Sequence, residues 1–198
     1  MNIAIFASGG GSNAAVIIKT LESFIKKEAV STALVISNNE NAGVIKIAAT
    51  HNIPCEIISL KNKTETQQAL AYLEILKKYE IEFIVLAGFL KKLPKEITSA
   101  FPKKIVNIHP ALLPAYGGAG MYGKYVHEAV IAAGEKESGI TIHYVDEVYD
   151  HGQIIFQAKC VVENTATADD LAKKILALEH KYYTAVIVET ILSQIPVK

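Results

Sequence analysis

Asn107-Ile108-His109-Pro110 lies inside the run KKIVNIHPALLPAYGG. Residues 104–108 read as a short apolar strand that ends in a proline-rich turn. Positions two apart on a strand share a face, so Asn107 sets an amide donor beside the His109 imidazole. The carboxyl end of a strand is where α/β folds place their chemistry. An amide and a protonated imidazole together can hold a developing oxyanion. The imidazole titrates near neutrality, so a carboxylate nearby would favour its charged form. Asp146, Glu147 and Asp150 all lie in the turn DEVYDHG. Asp150 precedes a His-Gly turn, but a loop with several acids is more often solvated, and spacing alone does not choose among them.

A second motif follows the first strand. Ser8-Gly9-Gly10-Gly11-Ser12-Asn13-Ala14 joins it to a helix, and backbone amides at such a turn form an anion site with the helix N-terminus. Ser12 can also cap that helix. Gly9, Gly11 and Ala14 match the dinucleotide fingerprint, which calls for an acid at the end of the second strand. Asn38 and Asn39 stand there, with Glu40 just beyond. A phosphomonoester fits better, because Ser12 and Asn13 add side-chain donors. A tight capped turn with no ligand is the plain alternative, although three consecutive glycines exceed what a turn needs.

These motifs must be positioned by an alternation of strands and helices. Strands are expected at 2–7, 31–37, 55–59, 83–87 and 104–108, and helices at 12–27, 42–51, 64–79 and 125–133. Near-continuous apolar strands separated by helices imply an α/β fold, a Rossmann-like, mostly parallel twisted sheet with helices on both faces. Residues 139–145 and 153–162 read as an antiparallel strand pair in the C-terminal half, and 167–192 as a long amphipathic helix. No repeat or linker interrupts the pattern, so residues 1–198 are expected to form one domain.

Composition narrows the class. The chain has 198 residues, 20 basic and 20 acidic side chains, and a formal net charge of zero, which argues against nucleic-acid binding through a broad basic surface. Cys55 and Cys160, far apart, read as core thiols in a reducing cytoplasm. The strand-like start, MNIAIFASGG, reads as too short for a signal-peptide h-region followed by a cleavage site, and no apolar run reaches membrane-spanning length. No Cys/His spacing suggests a metal site. His51, His127 and His180 fall in helical contexts and read as surface or helix-end groups; His143, on a strand, reads either as a site neighbour or as a hydrogen-bonded structural histidine.

The set SGGGSN, LAGFLKKL, NIHPALLPAYGG and HYVDEVYDHGQIIFQ resembles the folate-dependent phosphoribosylglycinamide formyltransferases, and the resemblance spans essentially the whole chain. It implies that Asn107, His109 and Asp150 act as a catalytic trio, with Asp150 raising the pKa of His109. It implies that Gly11, Ser12 and Asn13 take a ribotide phosphate and that Glu179 contacts the ribotide. It implies that Leu90, Lys91, Lys92, Leu93 and Asn107 contact the folate. The expected co-substrate is 10-formyltetrahydrofolate and the acceptor is glycinamide ribonucleotide, in a cytoplasmic monomer or weak homodimer with no metal, nucleic acid or membrane partner. The N-terminal half would bind the ribotide, and the C-terminal half the folate and the reacting groups.

Three departures stand out. Relatives often carry Arg where Lys91 stands, which turns a bidentate contact into a point charge. An Arg used by some relatives near the folate has no clear counterpart among Lys63, Thr64 and Glu65. The loop from Ala115, AYGGAGMYG, is longer and richer in glycine than the commonest form. Another folate-dependent formyltransferase or hydrolase is a competing expectation; such relatives carry an added domain for which this chain has no room. More distant alternatives are a dinucleotide-dependent oxidoreductase, and a phosphate-ligand binder that would leave Asn107, His109 and Asp150 idle.

Overall fold

A computed structural model of the chain describes residues 1–23, 30–59 and 61–194. The strands are β1 (Asn2–Phe6), β2 (Ser31–Ser37), β3 (Cys55–Ile57), β4 (Phe83–Leu86), β5 (Ile105–His109), β6 (Glu137–Tyr144) and β7 (Ile154–Val161). The helices are α1 (Ser12–Ser23), α2 (Val44–Thr50), α3 (Glu65–Lys78), α4 (Lys95–Ala100), α5 (Lys124–Ala132) and α6 (Ala168–Leu192). The sheet is seven-stranded and mostly parallel, in the order β3-β2-β1-β4-β5-β6-β7, with an antiparallel β6–β7 pair. The expected α/β architecture is therefore the observed one. The chain falls into two compact units, Met1–Val106 and Asn107–Lys198.

In the first unit, β1 and β4 are buried on both faces, which is why their sequences, NIAIF and FIVL, show no polar alternation. β1 pairs in parallel with β2 on one side and with β4 on the other. The chain winds outward through β1, β2 and β3, then crosses back to β4, so right-handed crossovers set helices on opposite faces. In keeping with this, α1 packs with α2, and α3 with α4. The reversal makes β1 and β4 the switch point, beyond whose carboxyl ends folds of this kind bind their ligands. α1 buries Ala14, Ile17, Ile18 and Leu21, a spacing of one helical face. Residues 24–27, expected to extend this helix, lie outside the described residues. Thr64 caps α3 in a reciprocal capping box with Gln67.

In the second unit, β6 and β7 pair with a register shift between Ile142 and His143. Such a bulge bends the strand and re-aims the next side chain. Two glycines allow the close pairing here. A Cβ at Gly139 would fall on the Ala158 carbonyl, and one at Gly152 on the Tyr144 carbonyl. Thr167 and Asp170 form a second capping box that starts α6. α4 was not among the expected elements; its six residues, KEITSA, are too few to show a period.

Candidate active site

Asn107 and His109 leave β5 on one side, as their spacing requires, and meet two groups from later in the second unit. His143 comes from the bulged end of β6. Asp150 comes from the turn between β6 and β7, where its backbone is left-handed, with φ 54°. Asp tolerates that region better than most side chains. All three ionisable groups are largely withdrawn from water: His109 is 3% exposed and His143 2%, and the Asp150 side chain 10%.

Hydrogen bonds fix the tautomers. His109 Nε2 lies 2.7 Å from the Tyr116 carbonyl oxygen, which can only accept, so Nε2 carries a proton. The other ring nitrogen, Nδ1, faces Asp150 Oδ2 at 3.5 Å. His143 Nδ1 lies 2.8 Å from the Tyr144 carbonyl, so it too must donate. In the neutral ring that leaves His143 Nε2 to accept from Asn107 Nδ2 at 3.2 Å. One amide N–H of Asn107 is thereby engaged and its orientation set, while the second stays available to a ligand oxygen. Asp150 Oδ1 lies 3.7 Å from His143 Nε2, and Asp150 Oδ2 accepts the Gly118 backbone N–H at 2.9 Å. Gly117 is needed beside it, because a Cβ there would stand 3.2 Å from the Asp150 Cβ and crowd Leu113.

The electrostatics correct one expectation. Asp150 and the Tyr116 carbonyl both favour a charged His109, but burial outweighs them and holds His109 below the ordinary histidine value. Burial likewise pushes His143 down. Burial therefore favours the neutral form of His109, with Nδ1 unprotonated, over a standing cation.

His127 is a further correction. It belongs to the buried face of α5 with Val126 and Val130, and is only 7% exposed. Burial lowers its pKa, and the nearby His109 lowers it further. Its Nδ1 has no hydrogen-bond partner among the described residues. The three-residue step from His127 to Val130 was the available signal. His143 satisfies both of its expected readings, since it is hydrogen-bonded and adjoins the site. The half-buried His51 pairs with the surface acid Glu22, and the exposed His151 lies 3.9 Å from Asp146.

The glycine loop lies in the first unit, at the carboxyl end of β1. Gly11 has φ 80°, and a Cβ there would strike Val44 of α2 at 2.8 Å, so this glycine serves the packing of α1 on α2. Gly9 and Gly10 are exposed, with nothing within 4 Å of a Cβ. Ser12 is the first residue of α1 and exposed, with Asn13 half-buried behind it. Asn38 accepts a 2.6 Å bond from the Ser8 hydroxyl, which in turn accepts the Leu90 N–H at 3.0 Å. Asn38 thus organises the loop where a dinucleotide site would hold an acid. Leu90, Lys91 and Lys92 are exposed, whereas Leu93 is buried and can offer a ligand only its backbone. Glu179 is half-buried on α6, close enough to help burial push Tyr183 well above the ordinary tyrosine value.

Among the described residues, no three His, Cys, Asp or Glu side chains converge as metal ligands. Nor is any helix among them long and apolar enough to cross a membrane.

A doubly wound sheet carrying an amide, two buried imidazoles and a carboxylate in one cluster defines an α/β protein equipped for acyl or proton transfer. The chain belongs to the formyl transferase family, whose pattern matches residues 1–187. It is 41% identical over 190 residues to the chloroplastic phosphoribosylglycinamide formyltransferase of Arabidopsis thaliana, covering 93% of this chain and 63% of that protein. It is 38% identical to the phosphoribosylglycinamide formyltransferase of Bacillus subtilis, covering 93% of this chain and 91% of that one. The chain spans about three fifths of the length of the plant relatives it matches, the one from Vigna unguiculata included, at 59%. Among solved structures, phosphoribosylglycinamide formyltransferase from Bacillus halodurans superposes with a TM-score of 0.88 at 35% identity, covering 98% of this chain and 96% of that one.

Proposed function

We propose that the chain transfers a formyl group from 10-formyltetrahydrofolate to the amine of 5′-phosphoribosylglycinamide, in purine biosynthesis. The observation that carries this reading is the His109–Asp150 pair beside the oriented Asn107 amide, in a chain of the formyl transferase family. The neutral amine attacks the formyl carbon, and the carbonyl electrons move to its oxygen. Asn107 offers its second N–H to that oxyanion. The attacking nitrogen, now positive, releases a proton to His109 Nδ1, directly or through water. The imidazolium so formed is balanced by Asp150 and faces the same oxyanion. When the carbonyl re-forms, the bond to the folate nitrogen breaks and that nitrogen takes the proton from His109. No side-chain nucleophile is required.

Gly11, Ser12 and Asn13 would hold the ribotide phosphate, and Glu179 another part of that substrate. The exposed side chains of Leu90, Lys91 and Lys92, with the backbone through Leu93 and the Asn107 side chain, would contact the folate. This reading divides the labour of a single 1–198 domain between a ribotide-binding N-terminal half and a folate-binding, catalytic C-terminal half, in a cytoplasmic protein acting on small molecules. The test is to mix the protein with both substrates and follow tetrahydrofolate release. Release must depend on the ribotide, and its absence would sink the reading.

A further inference from the structure

The turn after His109 is held by a junction that lies outside the reacting groups. Thr141, on β6, is fully buried, and its hydroxyl uses every hydrogen-bonding position it has. It donates to the Ala111 carbonyl at 2.7 Å, accepts the Leu113 N–H at 2.9 Å, and accepts Gln157 Nε2 at 2.9 Å. Gln157, on β7, spends its other N–H on the Leu113 carbonyl at 3.0 Å. Four bonds from two side chains thus fix both ends of Ala111–Leu112–Leu113. That segment begins two residues after His109 and ends three residues before Tyr116, whose carbonyl takes the His109 Nε2 proton. Gly117 and Gly118, against Asp150, follow at once. The side chain of Leu112 lies over Gly139, where a Cβ would meet it at 2.7 Å, so the turn cannot slide along β6.

We propose that Thr141 and Gln157 are positioning residues, whose junction with Ala111 and Leu113 holds the Tyr116 carbonyl on His109 Nε2 and thereby turns Nδ1 toward the reacting group. Only the kinetic consequence rests on the formyl-transfer reading. A buried hydroxyl whose hydrogen-bonding positions are all filled gives a rigid seat, and breaking one of its bonds loosens the others. Displacing a reacting group by a fraction of an ångström to an ångström costs about ten- to a hundred-fold in rate.

Thr141→Val keeps the shape and removes three bonds, Thr141→Ser keeps all three, and Gln157→Leu removes two donors at an exposed position. Each is compared with the wild-type protein by 15N NMR of histidine-labelled samples and by steady-state kinetics. In the wild type, His109 should show a single Nε2–H tautomer. Thr141→Val and Gln157→Leu should show mixed or exchanging tautomers at His109, with kcat down about ten-fold or more and KM for each substrate within about two-fold. Thr141→Ser should restore both signals. If Thr141→Val does not fold, Gln157→Leu carries the test alone. A folded Gln157→Leu protein with the wild-type His109 tautomer overturns the proposal, as does a fall in kcat with no change in the histidine spectrum. A wild-type protein without formyl transfer overturns the functional reading instead, and leaves the NMR comparison intact.

Discussion

His127→Leu should flatten the pH dependence of stability. His109, His127 and His143 are each held below the ordinary histidine value, with burial the largest cause in all three. In the unfolded chain each takes a proton near pH 6.5, and in the folded chain only at lower pH. Between those values the unfolded state carries more protons, so stability rises with pH across that window. The cost of acid is fully developed below the folded values and absent well above about pH 6.5. Each proton of difference gives a slope of about 1.4 kcal/mol per pH unit. The three together approach about 4 kcal/mol per unit where all of them differ fully. Ordinary carboxylates titrate near pH 4 and stay outside this range. Removing His127 deletes one proton, so the slope should fall by about a third, while its burial on α5 suits a leucine. Urea unfolding followed by far-ultraviolet circular dichroism, at steps from pH 5.5 to 7.5, measures this slope. A flat wild-type profile, or equal slopes for the two proteins, would refute the reasoning that burial holds these imidazoles neutral.

Asp150→Asn keeps the size and the tolerance of a left-handed backbone but removes the charge that balances His109; kcat should fall about a hundred- to ten-thousand-fold with ribotide binding nearly intact, and near-normal turnover would exclude Asp150 from the chemistry. Ser12→Ala and Asn13→Ala each delete a donor to an anion and should raise the ribotide KM about ten-fold or more, in steady-state assays at saturating formyl donor; an unchanged KM would remove the loop from the phosphate site. Gly152→Ala puts a methyl group onto the Tyr144 carbonyl and should cost about 1–3 kcal/mol in urea unfolding; an unshifted midpoint would mean that the turn gives way without cost.

The architecture was legible because the strongest signals were local. Thr64-x-x-Gln67 announces a capped helix, and FIVL, short and bounded by turns, reads as a strand buried on both faces. The pairing of Asn107 with His109 needed no more than the two-residue repeat of a strand. Other features depend on contacts distant in sequence. The choice of Asp150 over Asp146 follows from a left-handed residue folded back onto Gly118, which no local pattern encodes. The resting charge of His109 depends on how completely the surrounding turn excludes water, and that overrides the carboxylate beside it. Thr141 reads in sequence as one more strand residue, because its hydroxyl matters through partners 16 to 30 positions away along the chain. His127 was mistaken for a surface group by residue type, although its spacing to Val130 placed it on the inward face.

The left-handed backbone at Asp150 also bears on which changes this position can absorb. The turn demands a residue at ease with positive φ, and the proposed chemistry demands a carboxylate. Glycine and asparagine meet the first demand and fail the second. Glutamate meets the second, and Glu80 adopts a similar positive φ of 51°, but its longer side chain would carry the charge past His109. On the proposed chemistry aspartate alone combines that backbone with a carboxylate of the right reach, so position 150 would have no neutral single step away from it. Random substitution there should yield chiefly folded proteins that have lost turnover, with those ill at ease at positive φ destabilised by about 1–3 kcal/mol as well.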